Sequence, residues 1–421
     1  MLRLFLSLIL IMLLLAGCNV PVVPGIEVTA TGMEPSEPPA AASPTADTAP
    51  PTSSSATAQP EATLPNATVT PVESPQAETA SNRIAFIGSD GNLWLQETLS
   101  GELNQVTQEG VSFMAAGDRE SVIFTNPQWS SDGQLVAYQR EYRKPVVDGM
   151  EYQVSLWVYD LASNQAREVL ADEQTAGYAW RPGTHTIAFA IPIEQDYFNN
   201  QGGVDSSLAR GIQAYDVDSG TLSELVAPAR GYSLSNPRFS PDGTKIGFEE
   251  IIYMEGSGLF AYVDLTTNEY FPWEKALGGF AWSPDGEMVA YDYLTYGPSG
   301  TERIYLNDLR NSSERALSPV IVSGYAYSPR FSPQGDRVAY IAEEFSAEGN
   351  SRYKILIQGL DETLPRELGL FDQPGYLSWS PDGEWLLLTV GNYDQSQMIM
   401  VNVADGSVKP LEQGIQPVWQ P

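Results

Sequence analysis

A short turn-forming stretch that recurs through the last four-fifths of the chain constrains its fold more than any other feature. At 282–286 it reads Trp-Ser-Pro-Asp-Gly. Proline sets the second position of a type I turn, aspartate suits the third, and glycine supplies the positive φ that follows. Such a turn joins two antiparallel strands compactly. The aromatic residue ends one strand, and the apolar run 288–291 begins the next.

Five further copies of this turn follow the same plan. They lie at 129–133 (Trp-Ser-Ser-Asp-Gly), 180–183 (Trp-Arg-Pro-Gly), 239–243 (Phe-Ser-Pro-Asp-Gly), 331–335 (Phe-Ser-Pro-Gln-Gly) and 379–383 (Trp-Ser-Pro-Asp-Gly). Successive aromatic residues are 51, 59, 43, 49 and 48 residues apart. A repeat of about 40–50 residues with several short strands is typical of a β-propeller blade. The pattern therefore predicts an all-β chain built from blades.

The two ends of the repeat region hold the parts of one more blade. Residues 84–107 supply a second, third and fourth strand without a first. Residues 416–419 (Gln-Pro-Val-Trp) match the first strands at 126–129 and 236–239, with nothing after them. Closing a ring in this way hides sheet edges that would otherwise pair with other chains. We therefore expect one seven-bladed β-propeller of four-stranded antiparallel blades over 83–421, its first blade closed by residues 415–420.

The N-terminus indicates export and anchoring. Arg3 precedes an apolar run at 4–15, which is too short for a good membrane span and has the right length for a signal peptide over 1–17. Residues 15–18 (Leu-Ala-Gly-Cys) resemble a bacterial lipobox, whose cysteine is lipidated. Cys18 is also the only cysteine in the chain, so no internal disulfide can form. We expect a lipid-anchored, extracytoplasmic protein of the bacterial cell envelope; an ordinary signal peptide with a chance cysteine is the alternative.

A compositionally distinct segment separates the signal peptide from the repeats. Residues 18–82 are dominated by proline, alanine, serine and threonine, with no lysine or arginine and seven acidic residues before Arg83. The segment lacks the apolar content needed to bury a core, which predicts a disordered linker that lifts the propeller off the membrane.

The aromatic-Ser-Pro-Asp-Gly repeats, each followed by an apolar strand, resemble the WD40-like PD40 repeats of the TolB family of propellers. They are also similar to the N-terminal propeller of dipeptidyl-peptidase IV. The resemblance covers about residues 83–421 and implies a periplasmic propeller that binds protein partners at the envelope. TolB-type proteins usually carry a separate N-terminal domain, where this chain has the predicted linker. A peptidase would carry an α/β-hydrolase domain after the propeller, whereas this sequence ends in the closing blade.

The sequence offers few residues for catalysis. Its single histidine, His185, excludes histidine-based metal clusters and follows the turn of the degraded repeat, where we interpret it as a turn residue. No Gly-x-Ser-x-Gly elbow of a serine hydrolase is present. The repeat turn also differs from the Ser-x-Asp-x-Gly box of propeller sialidases, because its aspartate and glycine are adjacent. We therefore predict no enzyme activity, no cofactor and no metal.

Long loops between second and third strands should gather on one face of such a propeller, which we call the long-loop face. They lie at about 139–153, 191–210, 249–257, 292–302, 342–352 and 391–396. Variable loops on a rigid scaffold commonly carry function. The loops are acidic, and the whole chain has 53 Asp and Glu against 22 Lys and Arg. This charge argues against nucleic acid or anionic lipid as a partner and permits a basic peptide, a polyamine or a divalent cation. A solvated acidic surface is the alternative.

Nine residues are candidate ligand contacts, and the aromatic ones lie on this face. An aromatic residue follows glycine before the first strand of five blades, at Tyr178, Tyr232, Phe280, Tyr325 and Tyr376. Near a channel mouth these rings could stack on a sugar or anchor a partner's side chain, or they could pack against the next blade. Arg238 and Arg330 share one position in two first strands, pointing near the channel or pairing with a carboxylate. Glu249 and Glu250 are adjacent carboxylates, but neighbours on a strand face opposite sides.

These features favour a monomeric, non-catalytic, membrane-anchored binding or scaffolding propeller whose long-loop face takes a protein, peptide or glycan. The alternative is a propeller-type enzyme such as a carboxylate-based glycosidase, which needs a central pocket with two carboxylates about 5–10 Å apart. A structural part of a larger envelope assembly is a third hypothesis, and it depends on the TolB likeness.

Overall fold

The computed structural model describes the repeat region and not the segment before it. The described residues are 83–171, 175, 177–193, 195–198, 203–252, 258–295, 301–321, 323–392 and 396–421. The expected signal peptide, the lipidation site Cys18 and the expected linker lie outside the described residues, as do parts of four predicted long loops. None of the described helices has the length and apolar character needed to cross a bilayer.

The described residues are mainly β-structure, so the all-β fold class is confirmed. In chain order the strands are β1 Arg83–Gly88, β2 Leu93–Glu97, β3 Leu103–Gln105, β4 Ser121–Trp129, β5 Leu135–Val146, β6 Gly149–Asp160, β7 Gln165–Leu170, β8 Tyr178–Trp180, β9 Thr186–Ala190, β10 Ile212–Asp216, β11 Thr221–Val226, β12 Ser233–Phe239, β13 Lys245–Ile251, β14 Gly258–Asp264, β15 Glu269–Pro272, β16 Phe280–Trp282, β17 Met288–Thr295, β18 Thr301–Asp308, β19 Ser313–Ala316, β20 Gly324–Phe331, β21 Arg337–Phe345, β22 Ser351–Gly359, β23 Arg366–Phe371, β24 Gly375–Trp379, β25 Trp385–Val390, β26 Gln397–Asn402 and β27 Val408–Trp419. The described helical elements are single turns at Phe113–Ala116, Gln195–Tyr197 and Ser206–Leu208.

Strands that are neighbours in sequence pair antiparallel in groups of four. The groups β4–β7, β8–β11 and β12–β15 are separate four-stranded sheets. The groups β16–β19 and β20–β23 are joined into one sheet by a single parallel bridge between Glu302 and Tyr325. First strands of successive groups lie against each other. We call these first strands, with residues 414–419 of β27, the inner strands.

The last strand serves two groups. The first half of β27 pairs with β26, with Val408 opposite Val401 and Gln413 opposite Gln397. Its second half pairs with β1, where Val418 lies opposite Ala85. The order β24-β25-β26-β27-β1-β2-β3 therefore places both ends of the described region in one continuous sheet.

The serine of the recurring turn explains why this sequence folds back so sharply. The Oγ atoms of Ser130, Ser240, Ser283 and Ser380 donate to the aspartates Asp132, Asp242, Asp285 and Asp382 at 2.5–2.6 Å, and accept the backbone N–H groups of Leu135, Lys245, Met288 and Trp385 at 2.8–2.9 Å. The glycines that close the turns have φ of 67–75°, a region in which only glycine is unstrained. One buried hydroxyl thus satisfies a carboxylate and an amide in every such turn.

The variant turn at 331–335 solves the same problem with a different residue. Gln334 stands where the other turns have aspartate, and the Ser332 Oγ donates to Asp336 instead, at 2.8 Å. The Gln334 amide nitrogen donates to the Asp382 backbone carbonyl of the next turn at 3.0 Å. The repeat thus tolerates the loss of its aspartate because a nearby carboxylate replaces it.

Tryptophans of the repeat join one sheet to the sheet before it. The indole N–H groups of Trp129, Trp180, Trp282 and Trp379 donate to the backbone carbonyls of Val418, Gln128, Arg238 and Arg330 at 2.9–3.2 Å. Each acceptor immediately precedes the equivalent aromatic residue of the preceding inner strand. Buried indoles usually need such a partner, so the aromatic position of the repeat fixes the spacing of adjacent inner strands.

Apolar side chains fill the spaces between successive groups. One cluster packs Leu135 of the β4–β7 group against Trp180 of the next. Another packs Ala85 of β1 against Phe124 and Trp129 of β4. Every one of the seven clusters among the described residues joins two groups that are neighbours in this order. The core is therefore distributed between the sheets and does not lie at one centre.

The prediction of a loop over about 139–153 is wrong. β5 and β6 continue through it as a hairpin, paired to Val146 opposite Gly149, with Val147 and Asp148 as the two-residue turn. Residues 292–295 and 301–302 are likewise strand, as are 342–345 and 351–352. Polar and charged residues alternate on these arms, which masks a strand pattern because neither face is fully buried.

Candidate functional site

Bulges in the inner strands aim polar side chains inward. Asn126, Asn236, Ser328 and Gln416 have φ of 50–58°, and each is followed by proline. The register of the strand pair shifts at each of these positions. A bulge re-aims the side chains that follow it. Arg238 and Arg330 stand two residues after the left-handed residue of their strands, β12 and β20.

Arg238 is exposed to solvent and contacts the next inner strand. Its Nη1 donates to the Phe280 carbonyl of the next inner strand at 2.8 Å, and its guanidinium carbon lies 4.9 Å from the Phe280 ring centroid, at cation–π distance. The side chain is exposed to solvent, yet burial lowers the pKa of the Arg238 guanidinium, against the opposing charges of Glu249 and Asp292. Arg238 is therefore accessible to solvent while its guanidinium packs against the next inner strand.

Arg330 occupies the corresponding position in β20 and lies close enough to Arg238 to repel it. Burial and, after it, the charge of Arg238 lower the pKa of Arg330 to about 10, against the opposing charge of Asp292. Its Nη1 donates to the carbonyl of its own neighbour, Pro329, at 2.8 Å. Neither arginine forms an ion pair with a carboxylate within the described part of the chain, so the predicted alternative of structural pairing is not observed there.

Asp292 is a buried carboxylate whose negative charge acts on both Arg238 and Arg330. Its side chain is 2% exposed, and one oxygen, Oδ2, accepts the Ser328 backbone N–H at 2.8 Å. The other oxygen, Oδ1, has no hydrogen-bond partner. Burial raises the pKa of Asp292 to about 6, although the Ser328 and Gly279 N–H groups and the two arginines favour its ionised form.

Glu302 lies beside Asp292. Burial, then the charges of Asp292 and Glu343, raises the pKa of Glu302 to about 7. Asp292 Oδ1 and Glu302 Oε1 would be 2.0 and 3.2 Å from a Cβ atom placed on Gly278. A residue with a side chain there would displace both carboxyl groups, so Gly278 is required by the close approach of its backbone to this pair. We call Arg238, Glu249, Asp292, Glu302 and Arg330 the inner cluster.

The adjacent glutamates Glu249 and Glu250 have separate environments. Burial raises the pKa of Glu249, while Arg238 and a hydrogen bond with Asn236 oppose the shift. Glu250 is fully buried and binds Arg230 at 3.1 Å and the Tyr270 hydroxyl at 2.6 Å. Glu249 therefore belongs to the inner cluster, whereas Glu250 stabilises the packing on the other side of the strand.

The five aromatic candidates divide in the same way. Tyr178 and Phe280 are each 3% exposed, and Phe280 packs against Phe260 with ring centroids 4.7 Å apart. These two positions favour the packing alternative. Tyr232 and Tyr325 are half-buried, and Tyr325 meets Phe345 edge-on. Tyr376 is 42% exposed, and burial raises its pKa, against a hydrogen bond with Gln416. Tyr376 thus combines solvent access with confinement, as Arg238 does.

His185 lies away from the inner cluster, at the turn end of β9. Its Nε2 is 3.0 Å from Asp132 Oδ2 and its Nδ1 is 3.0 Å from Asp218 Oδ2. Burial would lower the pKa of His185, but the hydrogen bonds to Asp132 and Asp218 raise it. The two ring nitrogens face different carboxylates, so the imidazole bridges two turns and cannot chelate a metal with both. Among the described residues no group of three or more Asp, Glu, His or Cys could hold a metal ion.

A cavity of about 490 Å³ lies on the β20–β23 group, apart from the inner cluster. Its lining includes Val320, Ile321, Phe345 and Leu356, with Lys354 between Glu344 and Glu367 at 2.9 and 3.4 Å. Lys354 forms an ion pair with each carboxylate, so this cavity has apolar walls and charged groups that already have partners. The inner cluster, by contrast, has charged groups without partners, and we take it as the candidate site.

Two members of the inner cluster were not singled out by the sequence analysis. Asp292 and Glu302 appear there only as acidic residues of one long loop. The positional evidence was available, since Asp292 directly follows the strand residue opposite Phe280, and a pair of glycines at 278–279 marks a close backbone approach. The sequence did not show that Asp292 and Glu302 lie beside each other.

Comparison with solved structures identifies the same fold in proteins of different activity. A prolyl endopeptidase structure superposes with a TM-score of 0.57 and 13% identity, covering 82% of this chain and 50% of that one. An oligogalacturonate lyase in complex with manganese gives 0.52 and 14%, covering 80% and 86%. TolB from Acinetobacter baumannii gives 0.46 and 18%, covering 81% and 83%. The prolyl endopeptidase match confirms the resemblance to peptidase propellers at the level of the fold, and TolB is a further structure to which this chain is similar.

Sequence comparison finds two partial relatives. Dipeptidyl-peptidase 5 of Porphyromonas gingivalis is 23% identical over 150 residues, which are 34% of this chain and 22% of that protein. A probable dipeptidyl-peptidase 5 of Aspergillus clavatus is 31% identical over 132 residues, 27% of this chain and 18% of that protein. The matches thus span less than a quarter of either relative. No protein-family model matches the chain.

Proposed function

We propose that the chain is a non-catalytic binding propeller, in which seven four-stranded groups close into a ring and the long-loop face admits a protein, peptide or glycan ligand to the inner cluster. We further propose that lipidation at Cys18 anchors the propeller to the bacterial cell envelope, outside the cytoplasm, through a linker over 18–82. The TolB-like propellers motivate this location.

The arrangement of the core supports the ring. Each cluster joins neighbouring groups, and the series runs from the β4–β7 group through the β24–β26 strands. Ile84 and Phe86 pack with Leu387 and Met400 on one side, while Ala85 packs with Trp129 on the other. The group β27-β1-β2-β3 therefore has a neighbour on both faces, which is what a closed ring requires.

The observation that carries the binding function is the incomplete hydrogen bonding of the inner cluster. A buried polar atom without a partner costs about 1–3 kcal/mol, and Asp292 Oδ1 is such an atom. Two arginines that repel each other nearby add a further unfavourable term. A ligand that supplies the missing partners accounts for all three groups.

The glycosidase alternative has one specific observation in its favour. Asp292 and Glu302 are neighbouring carboxyl groups with raised pKa values, about 6 and about 7, and raised carboxyls are candidates for acid catalysis. Glycoside hydrolysis, however, needs one protonated acid and one ionised carboxylate, so the two environments should push the pKa values apart. Burial raises both here, which favours binding.

The test is to incubate the purified full chain with peptide and glycan arrays and then analyse the bound material by mass spectrometry. The expected result is binding that is lost in Arg238→Gln, kept in the surface control Arg310→Gln, and accompanied by no cleavage of the ligand. Cleaved ligand in the full chain and intact ligand with Asp292→Asn would establish an enzyme and contradict the proposal.

A further inference from the structure

Charged groups are ordered along β20, from Glu302 of the inner cluster and the nearby Glu343 to Arg330. Glu302 and Glu343 both pair with Tyr325, near the start of β20 at the long-loop end. Asp292 is hydrogen-bonded at Ser328, three residues further along that strand. Arg330 follows two residues later, so the arginine level lies about 13–16 Å along the strand from Tyr325. A molecule that enters from the long-loop end and follows β20 therefore meets Glu302 and Glu343 before Arg330. Glu249 lies opposite Ser235, three residues before Arg238 in β12.

The deep end of this path has unused hydrogen-bond donors. A guanidinium has five N–H donors in a fixed fork. Within the described residues Arg238 donates one hydrogen bond, to Phe280, and Arg330 donates one, to its neighbour Pro329. Both bonds use backbone carbonyls, which do not neutralise the charges. Two cations with free donors that face the same carboxylate, Asp292, can bind an anion, and planar carboxylates match the fork in a bidentate way.

We propose that the inner cluster binds the free C-terminus of a peptide, with the α-carboxylate on Arg238 and Arg330 and a lysine or arginine of the preceding residues beside Glu302 and Glu343. This inference rests on the proposed binding function and names its ligand class. A chain end suits the site because the cationic groups lie deepest. The preceding basic residue suits it because the carboxylates stand along the path to them.

Two other anionic ligands fit less well. An acidic glycan carries carboxylates along its whole length, and those would face Glu302 and Glu343 at the opening, where like charges are unfavourable. A small inorganic anion would satisfy the arginines but leave the carboxylates without a counter-charge. The order of the charges therefore favours a ligand that is negative at its tip and positive behind it.

The test compares two peptide arrays of the same sequences, one attached through the N-terminus and the other through the C-terminus, so that only the first presents free carboxylates. The labelled full chain is expected to bind the first array at least tenfold more strongly, with lysine or arginine enriched before the terminus. Equal binding to both arrays, or no binding to the first, overturns the inference. A failure here with selective binding to glycans would leave the proposed binding function standing.

Variants separate a ligand site from a structural role. Arg330→Gln is expected to lose the preference for free carboxylates by at least tenfold, while Arg310→Gln on the opposite, turn-forming end retains it. Because Arg330→Gln relieves repulsion with Arg238, its melting temperature should be equal to or above that of the parent. A lower melting temperature with unchanged selectivity would assign Arg330 a structural role and overturn the inference. Glu302→Gln should weaken the preference for a preceding basic residue and retain the dependence on the carboxylate.

Discussion

Single titrating residues give the most local tests, and His185 is the clearest. Because its pKa is raised in the folded state, the native protein binds this proton more tightly than the unfolded chain, and stability falls as pH rises through the folded pKa. The His185→Gln substitution should therefore destabilise the protein at pH 5.5 by about 1 kcal/mol or less, since the partners are partly exposed. The difference should vanish by pH 9. Urea denaturation at both pH values measures it, and a pH-independent difference would contradict the bridge to Asp132 and Asp218.

Glu302 should destabilise the folded protein when it is ionised, whereas protonated His185 should stabilise it. Its pKa is raised from the ordinary value of 4.5 to about 7, so in this range the native state holds a proton that the unfolded chain has released. Stability therefore falls as pH rises from about 4.5 to about 7, and the full cost of the ionised group remains above that. Glu302→Gln keeps the shape and removes the charge. At pH 8 the variant should be more stable than the parent by about 1–2 kcal/mol, allowing for solvent screening. At pH 4.5 the two should be alike, and an equal gain at both pH values would contradict the buried carboxyl pair.

Much of the site could be located from the sequence, and its chemistry could not. Arg238 and Arg330 were found because they share a repeat position. Their relation to Asp292 depends on a bulge that begins at Asn236 or Ser328, and no local propensity reports which way a bulge aims the next side chains. Tyr178 and Tyr376 have the same sequence context, yet one is buried and the other is exposed.

At the scale of the element, the recurring turn should depend more on its serine than on its proline or aspartate. Ser283→Ala removes one partner of Asp285, which keeps the Glu287 backbone N–H, and removes the side-chain partner of the Met288 backbone N–H. We therefore expect a loss of about 1–3 kcal/mol in the free energy of unfolding. Ser332→Ala is the matched comparison. The hydrogen bond from the Arg337 backbone N–H to the Ser332 Oγ is longer, at 3.3 Å, and Asp336 keeps the Arg337 side chain as a partner in the variant. Denaturant unfolding of both variants measures the difference, and a larger loss for Ser332→Ala would refute this account of the turn.

Turns and strand order could be predicted because they depend on local chemistry that repeats. The extents of the strands could not, as the hairpin arms of β5 and β6 show. Those arms project beyond the packed part of the sheet, so their side chains carry no inside–outside alternation. Their two-residue turn ends at Gly149, whose φ is 149°. An Asp-Gly pair is a hairpin signal in itself, and it could have identified the arm.

The whole molecule depends on the pairing of its two ends. The Trp129 indole donates to the Val418 carbonyl at 3.2 Å, and the Asn126 backbone N–H donates to the Gln416 side-chain Oε1 at 2.5 Å. The Gln420 backbone N–H donates to the Arg83 carbonyl at 2.9 Å, in the same way that the Ser130 backbone N–H donates to the Leu135 carbonyl within a repeat. Residues 416–420 and 83–87 thus pair in the way that the first and second strands of one repeat do. An inner cluster enclosed on all sides requires this closure.

The most direct measurement of that central claim is a disulfide between the two ends. In a Cys18→Ser background, Ala85→Cys and Val418→Cys place two thiols at directly opposed strand positions. On oxidation we predict a monomeric cross-linked protein that is more stable than its reduced form by about 2–4 kcal/mol, because the bond closes a loop that spans almost the whole described region. Oxidation that yields only intermolecular dimers, or a cross-linked monomer that melts below the reduced protein, would contradict the closed ring.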